Sequence, residues 1–464
     1  MKEINAPKKI CLISLGCPKN LVDAEMMLGI LAKDGFAFST NPAESDVIVV
    51  NTCGFVEDSK KESIEHLLQM AQYKEKGRCK VLVATGCLSQ RYSETLSKEL
   101  PEVDAFVGLG EFDRLAEILK EKLANVGVNG RLLRDFVKHK SNTDFMTARQ
   151  ILPDPDLPRI LATPKHYTYV KISEGCSHRC SFCIIPHIRG DLKSRPISSI
   201  VREVKEFVEK GVKEFNLIAQ DLNEYGKDLR DGTHLAQLLR ELDQIPGDFW
   251  LRPLYMYPLE FTDRLIAVMR DSEHLVNYVD MPLQHINDRV MRSMKRGSPA
   301  RYVRQVLEKL KKEIPTMAIR TTFIVGYPGE SEEEFQELYE FVEAVQFNHV
   351  GVFKYSVEEG TFASQLPNQV SPEVKQERFH RLMSLQQKIS RQKNEELVGK
   401  TLEVLCEGPA QDRPGHLQGR LSIQAPEIDG ITYLKVTQQI PSSGEFHQVK
   451  ITRAQDYDVN GFLI

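Results

Sequence analysis

Apolar positions along this chain follow two periods that alternate over most of its length. Short continuous runs rich in Val and Ile, KICLISLG (9–16), DVIVVNT (46–52) and KVLVAT (80–85), have the signature of strands buried on both faces. Between them, LVDAEMMLGILAKDG (21–35) and DSKKESIEHLLQMAQ (58–72) space their apolar residues by three and four, which predicts amphipathic helices. The alternation predicts an open parallel α/β sheet over residues 8–126.

Residues 127–165 break the pattern. They are polar, carry Pro153, Pro155, Pro158 and Pro164, and read as a linker. Alternation resumes over 166–395, with strands expected in YTYVKIS, EFNLIAQ, WLRPLYMY, LVNYVDM, AIRTTFIVG and HVGVFKYS. Helices such as SSIVREVKEFVEKG and SEEEFQELYEFVEAV lie between them, and the six units suit a partial (β/α)6 barrel. After a charged helix (372–399), residues 396–464 turn to short runs separated by Gly, Pro and Ser. TLEVLCEG, GITYLKVT and FHQVKITRA predict a small antiparallel β-barrel.

Composition narrows the class without deciding it. At 464 residues the chain exceeds one hydrophobic core, and 41% hydrophobic with 27% charged residues is ordinary for a globular protein. Lys plus Arg (61) nearly balances Asp plus Glu (65), so bulk charge speaks neither for nor against nucleic acid. No apolar stretch approaches a membrane span. ICLISLG is too short and polar for a secretory segment, although LGC resembles a lipid-attachment box. The expectation is a cytoplasmic protein with no membrane partner.

Nine cysteines in a reducing compartment point to metal or redox chemistry rather than disulfides. EGCSHRCSFC places Cys176, Cys180 and Cys183 as C-x3-C-x2-C on the loop after the first barrel strand. Zinc would need His178, His187 or a distant cysteine to close its shell. Three ligands on a four-iron cube leave one iron open, as a catalytic site requires. A second set appears as SLGC (Cys17), VNTC (Cys53) and ATGC (Cys87), each just beyond a buried strand. Ligands of parallel sheets bind at the carboxyl ends of strands, so these thiols can converge; the alternative is three unrelated buried cysteines. Cys11, Cys79 and Cys406 lack the pattern and read as structural.

The first set, with Phe182 before its third cysteine, resembles the radical SAM superfamily. There the open iron binds the amino and carboxylate groups of S-adenosylmethionine, whose reductive cleavage yields a 5′-deoxyadenosyl radical. Other stretches resemble that family's cofactor cradle: IRGDLKSRP with Arg189, Gly190, Ser194 and Arg195, IAQD with Gln220 and Asp221, PLQH with Gln284 and His285, and TTFIVGYPGE with Gly326. Each also has a bland reading: Arg195 as a surface salt bridge, His285 as a satisfied core histidine, GYPGESEEEF as a turn and capped helix start.

Both cysteine sets together resemble the radical SAM methylthiotransferase family, whose members join an α/β domain, a radical SAM barrel and a C-terminal TRAM barrel. The resemblance implies two 4Fe-4S clusters, one on Cys176, Cys180 and Cys183 and an auxiliary one on Cys17, Cys53 and Cys87. ISLGCPKNLVDAE, VNTCGFVEDSKKESIE and ATGCLSQRY are similar to the RimO type, which modifies an aspartate of the twelfth small-subunit ribosomal protein. The tRNA-modifying branch tends to carry Gln where this chain has Pro18. GRLSIQAPEIDG also resembles the RimO tail, departing at Gln424 where an acid is expected.

The implied reaction has the adenosyl radical take hydrogen from the aspartate β-carbon, which then captures a methylated sulfur held at the auxiliary cluster. A radical suits an unactivated methylene that ordinary bases cannot deprotonate. The implied partners are the ribosomal protein, an electron donor and a sulfur source. Residues 396–464 hold nine acids against six bases, an excess that fits a basic partner better than RNA. The alternatives are a tRNA adenosine methylthiotransferase and a non-catalytic, zinc-holding ribosome- or RNA-binding factor.

Overall fold

The computed structural model describes residues 7–125, 150–154, 156–435 and 441–464. Its first unit runs β1 (Lys9–Ser14), α1 (Pro18–Lys33), β2 (Ala37–Phe38), β3 (Val47–Thr52), α2 (Glu57–Ala71), α3 (Tyr73–Lys76), β4 (Val81–Gly86), α4 (Cys87–Glu99), β5 (Ala105–Val107) and α5 (Leu115–Asn125). The sheet is parallel, in the order β2-β1-β3-β4-β5. Every residue of β3 and β4 is buried, because helices cover both faces. Val22, Met26 and Leu119 pack on one side, Leu67, Met70 and Leu96 on the other. The three strands expected from their apolar runs are therefore the central ones. The short outer strands β2 and β5 carry too few residues to show a period.

The second unit contains β6 (Tyr167–Lys171), β7 (Ser173–Glu174), α6 (Ile185–Arg189), β8 (Lys193–Ser194), α7 (Ile197–Glu209), β9 (Glu214–Ile218), α8 (Leu235–Asp243), β10 (Trp250–Pro253), α9 (Asp263–Asp271), β11 (Tyr278–Asp280), α10 (Asp288–Ser293), α11 (Ala300–Glu313), β12 (Ala318–Val325), α12 (Glu332–Val345), β13 (His349–Lys354) and α13 (Pro372–Glu395). All six expected strands form. Their ladders make two parallel sheets, β10-β9-β6 and β11-β12-β13, linked by a single bridge between Leu251 and Leu275. Alternate side chains such as Phe215, Leu217, Leu251 and Val279 face the helices. The other face carries buried polar groups: Lys171, Asn216, Arg252 and Asp280.

Residues 127–149 and Pro155 of the expected linker lie outside the described residues. The rest forms a strap over α1. The Arg159 guanidinium reaches Glu25 of α1 and Glu203 of α7, tying the first two units together.

The third unit is a closed barrel of β14 (Thr401–Pro409), β15 (Leu417–Leu421), β16 (Thr432–Lys435), β17 (Phe446–Ala454) and β18 (Val459–Leu463). Its pairs are antiparallel except β16–β18, which is parallel. The last two residues of GITYLKVT lie outside the described residues. This barrel docks on the second through charge. Glu214 accepts from Arg252 and from Arg420, Tyr167 donates to Glu427 at 2.8 Å, and Tyr278 donates to Asp429 at 2.7 Å. Glu403 accepts from the Trp250 indole N–H at 3.2 Å, and Glu407 pairs with Arg420.

These contacts correct the charge argument for the tail. Glu403, Glu407, Glu427 and Asp429 engage the neighbouring barrel or the docking arginine. Asp456 accepts from Gln387 and Arg391 of α13, which leaves Glu396, Asp412, Glu445 and Asp458 against Lys400, Arg413, Lys435, Lys450 and Arg453, four acids against five bases. Gln424 is buried and its side-chain oxygen accepts from the Leu421 N–H and the Thr432 hydroxyl, so its departure from an acid does not alter the surface.

Candidate active site at the seam of two domains

Because β1, β3 and β4 are neighbours, their carboxyl ends deliver three cysteines to one place. Cys17 caps the N-terminus of α1, Cys53 follows β3, and Cys87 opens α4. Two glycines permit the approach. Gly16 adopts φ +88°, and a β-carbon there would stand 2.8 Å from Cys53 Cβ. A β-carbon on Gly54 would stand 2.9 Å from the Leu88 backbone, directly after Cys87. Burial pushes the Cys53 thiol up and the Cys87 thiol up to about 12. Such thiols remain protonated until a metal displaces the proton.

The second set lies at the carboxyl edge of the barrel. The Cys176 N–H donates to the Gly190 carbonyl at 3.0 Å, and the Cys183 N–H to the Cys180 carbonyl at 3.1 Å, folding the loop on itself. Burial, with neighbouring thiols adding, pushes Cys183 up to about 12; burial does the same for Cys176. A guanidinium nitrogen of Arg296 lies 3.8 Å from Cys180 Sγ. All nine cysteines are free. Cys11 and Cys79 are buried in the α/β core and Cys406 in the C-terminal barrel, as structural residues should be.

The donor sets fit clusters rather than single ions. Sulfurs around one zinc ion stand about 3.8 Å apart, given a Zn–S bond of about 2.3 Å. Among the described residues, the His, Cys, Asp and Glu triplet with ligand atoms all within 4.8 Å is His178, Asp221 and Glu224, which contains no cysteine. His178 itself donates to Asp221 at 2.8 Å rather than completing a zinc shell.

A buried quartet joins the two cysteine sets. Lys171 pairs with Asp23 and Glu174, and Arg189 pairs with the same two carboxylates. Burial opposes the Glu174 charge, yet Arg189 and Lys171 hold its carboxyl at about 2. Arg189 also reaches across to Cys87 Sγ at 3.5 Å and to the Asn20 side chain. It leaves the barrel six residues after Cys183 and ends beside the other set, so it belongs to the seam rather than to a cofactor cradle. Sequence reasoning missed Asn20, Asp23, Lys171 and Glu174. They lie on α1, β6 and β7, where a polar side chain taken alone reads as a solvated position. Lys19, also on α1, is 9% exposed and covers the Tyr255 ring. Burial lowers its ammonium to about 8 against the pull of Cys17.

The remaining expected contacts divide. Phe182 packs against Val290, Met294, Tyr327 and Tyr355, bracing the cysteine loop. The Gln220 amide donates to Glu174 at 3.2 Å, while its buried oxygen has no partner and is free for a ligand donor. Asp221 is occupied by His178 and by the Asn223 and Tyr257 N–H groups. Gln284, at φ +71°, bridges to Phe323 through its backbone. Gly326 donates to Glu330, which His285 and Arg378 also hold. Ser194 accepts from the Gly226 N–H at 2.9 Å. Arg195 is 1% exposed and bonded to Glu203, Ser199 and the Lys171 carbonyl. Its ion pair is buried rather than at the surface, and its Nε is left without a partner.

Comparison with known proteins follows the same division. Residues 9–108 match the Uncharacterized protein family UPF0004, 170–342 the Radical SAM superfamily, and 398–464 the TRAM domain. The ribosomal protein uS12 methylthiotransferase RimO of Pelobacter propionicus is 46% identical over 459 residues, covering 99% of this chain and 98% of its own. RimO of Geobacter sulfurreducens is 44% identical over 460 residues, with 99% of each chain covered. The radical S-adenosylmethionine methyltransferase TsrM from Kitasatospora setae, solved with cobalamin and a [4Fe-4S] cluster, shares the fold at TM-score 0.53 and 15% identity, over 75% of each chain. With identity this high over nearly the whole length, and with two separate cysteine triplets meeting at one seam, this chain belongs to the RimO family of radical SAM methylthiotransferases.

Proposed function

We propose that this protein attaches a methylthio group to the β-carbon of an aspartate in ribosomal protein uS12, with S-adenosylmethionine as cosubstrate. The observation that carries the reading is the seam, where Arg189, six residues after Cys183 in the barrel domain, reaches Cys87 of the other domain's triplet and Glu174 beside Cys176. Cys176, Cys180 and Cys183 would hold one four-iron cluster, and Cys17, Cys53 and Cys87 the other. When bound, the clusters and S-adenosylmethionine supply the adenosyl radical and the sulfur to be transferred.

The chain's own residues set the geometry. Arg189 and Lys171 neutralise Asp23 and Glu174 and so fix α1 against β6. Phe182 braces the cysteine loop, and Gln220 offers an unpaired oxygen beside Glu174. A ribosomal substrate implies a reaction in the cytoplasm; among the described residues, no helix is long and apolar enough to cross a membrane. An electron donor and a sulfur source complete the set of partners.

The test is anaerobic incubation of reconstituted enzyme with uS12, reductant, sulfide and S-adenosylmethionine. Cys176→Ala should abolish 5′-deoxyadenosine formation. Cys53→Ala should retain it, lose about four of eight irons, and give no methylthio increment on uS12. Methylthiolation by Cys53→Ala would refute the scheme. Modified adenosine in tRNA beside unmodified uS12 would transfer the reading to a tRNA enzyme.

A further inference from the structure

Lys19 is the cation at the seam that the quartet does not use. It is 9% exposed, and among the described residues its Nζ has no hydrogen-bond or ion-pair partner; it lies 3.2 Å from the centroid of the Tyr255 ring. Lys171 and Arg189, by contrast, are both satisfied by Asp23 and Glu174. Asp280 and Glu174 attract it without a hydrogen bond, and a buried ammonium with no anion in contact is costly unless something supplies one.

Its position says what that anion should be. Lys19 follows Cys17 by two residues, and Tyr255 beneath it stands at the carboxyl end of β10. Tyr255 adopts φ +64°, fixed by its N–H on Asp280 at 3.2 Å and by the Leu222 N–H on its carbonyl at 3.0 Å. Two residues on, Tyr257 turns the other way. Its ring centroid lies 4.8 Å from that of His178, inside the Cys176–Cys183 loop, and Arg296 covers it at 3.7 Å. One short backbone segment thus presents a ring to each cysteine set, and Lys19 stands on the auxiliary side of it.

Resting on the function proposed above, we propose that the Lys19 ammonium receives the γ-carboxylate of the substrate aspartate. The carboxylate is one bond from the β-carbon. Holding it beside Cys17 brings that carbon to the auxiliary site, facing the barrel where the radical arises. Lys19 is then a residue that selects aspartate over its amide.

The experiment uses reconstituted full-length enzyme and two forms of purified uS12, one with the target aspartate and one with asparagine there. Against the wild-type enzyme the asparagine form should compete about 10- to 100-fold more weakly, the weight of one buried charge-assisted hydrogen bond. Lys19→Met should raise KM for the aspartate form by a similar factor and no longer distinguish the two forms. Its iron content and its 5′-deoxyadenosine formation without substrate should be unchanged, and Lys19→Arg should restore part of the discrimination.

Retained discrimination in Lys19→Met overturns the proposal. Loss of about half the iron also overturns it, because Lys19 would then serve the auxiliary cluster. A wild-type enzyme that modifies neither form would overturn the parent reading, and this one with it.

Discussion

Arg189→Gln tests whether the seam is held by charge. The wild-type quartet contains two carboxylates and two cations, all buried, and sums to zero. The change leaves Asp23 and Glu174 to share Lys171, so one buried carboxylate loses its counter-charge. Holding Glu174 at about 2 against an ordinary 4.5 corresponds to about 3 kcal/mol, shared between Arg189 and Lys171. Breaking a buried pair from one side costs about 3–5 kcal/mol, so the variant should lose roughly that much. A chain of three domains does not unfold in one step, so the quantity to read is the first transition in urea, followed by circular dichroism. The sign with pH is fixed. Without Arg189 the folded carboxyl titrates above its unfolded value, so the deficit is full at neutral pH and shrinks as pH falls toward 4. Glu174→Gln combined with Arg189→Gln removes one charge of each sign and should cost about 1–3 kcal/mol less than the sum of the single changes. A first transition within about 0.5 kcal/mol of wild type, or a deficit that grows in acid, would refute the reasoning.

Other changes probe separate parts of the same construction. Gly16→Ala puts a β-carbon at φ +88° and 2.8 Å from Cys53 Cβ, so iron content should fall by about four per chain while 5′-deoxyadenosine formation persists. At the base of the barrel, burial opposes the Glu407 charge, but His166 and Arg420 hold its carboxyl at about 2. Its contribution of about 3 kcal/mol is therefore present above pH 4.5 and lost as pH falls from there through about 2. Thermal melts at pH 5 and pH 3 should differ less in Glu407→Gln than in wild type.

The parts of the site that could be read from the sequence were those with a local signature. C-x3-C-x2-C needs only eight residues to show itself, and Cys17, Cys53 and Cys87 stood out because each ends an apolar run that could only be a buried strand. The expected parallel sheet followed from the same runs, and strand adjacency then brought the thiols together. Asn20, Asp23 and Glu25 were illegible for the opposite reason. On an isolated helix they look like a solvated face, and their burial depends on Arg159, Lys171 and Arg189, more than a hundred residues away. Arg195 shows the same limit. An arginine in a glycine-containing loop suits a carboxylate ligand as well as an internal one, and only the packing of α7 reveals Glu203 as its partner. The tail's acidic excess was a true count, but net charge does not say which side of a barrel is docked, and several of those acids face the second unit.

Those docked acids show how the units are joined. Apolar contact is non-directional and would tolerate sliding between domains. Here Arg159 sits between Glu25 and Glu203, Glu214 between Arg252 and Arg420, and Asp429 between Tyr278 and Arg320, each bridging two units. Buried ion pairs of this kind add little net stability, but a shift of one residue would leave charges unpaired at a cost of several kcal/mol. A reaction that would use both cysteine sets on one substrate carbon depends on their separation more than on the stability of either domain. Between the two units that carry the cysteines, that registry is set by Arg159 with Glu25 and Glu203 and by Asp23 with Lys171 and Arg189, which accounts for polar walls where a barrel of this size could have been filled with leucine.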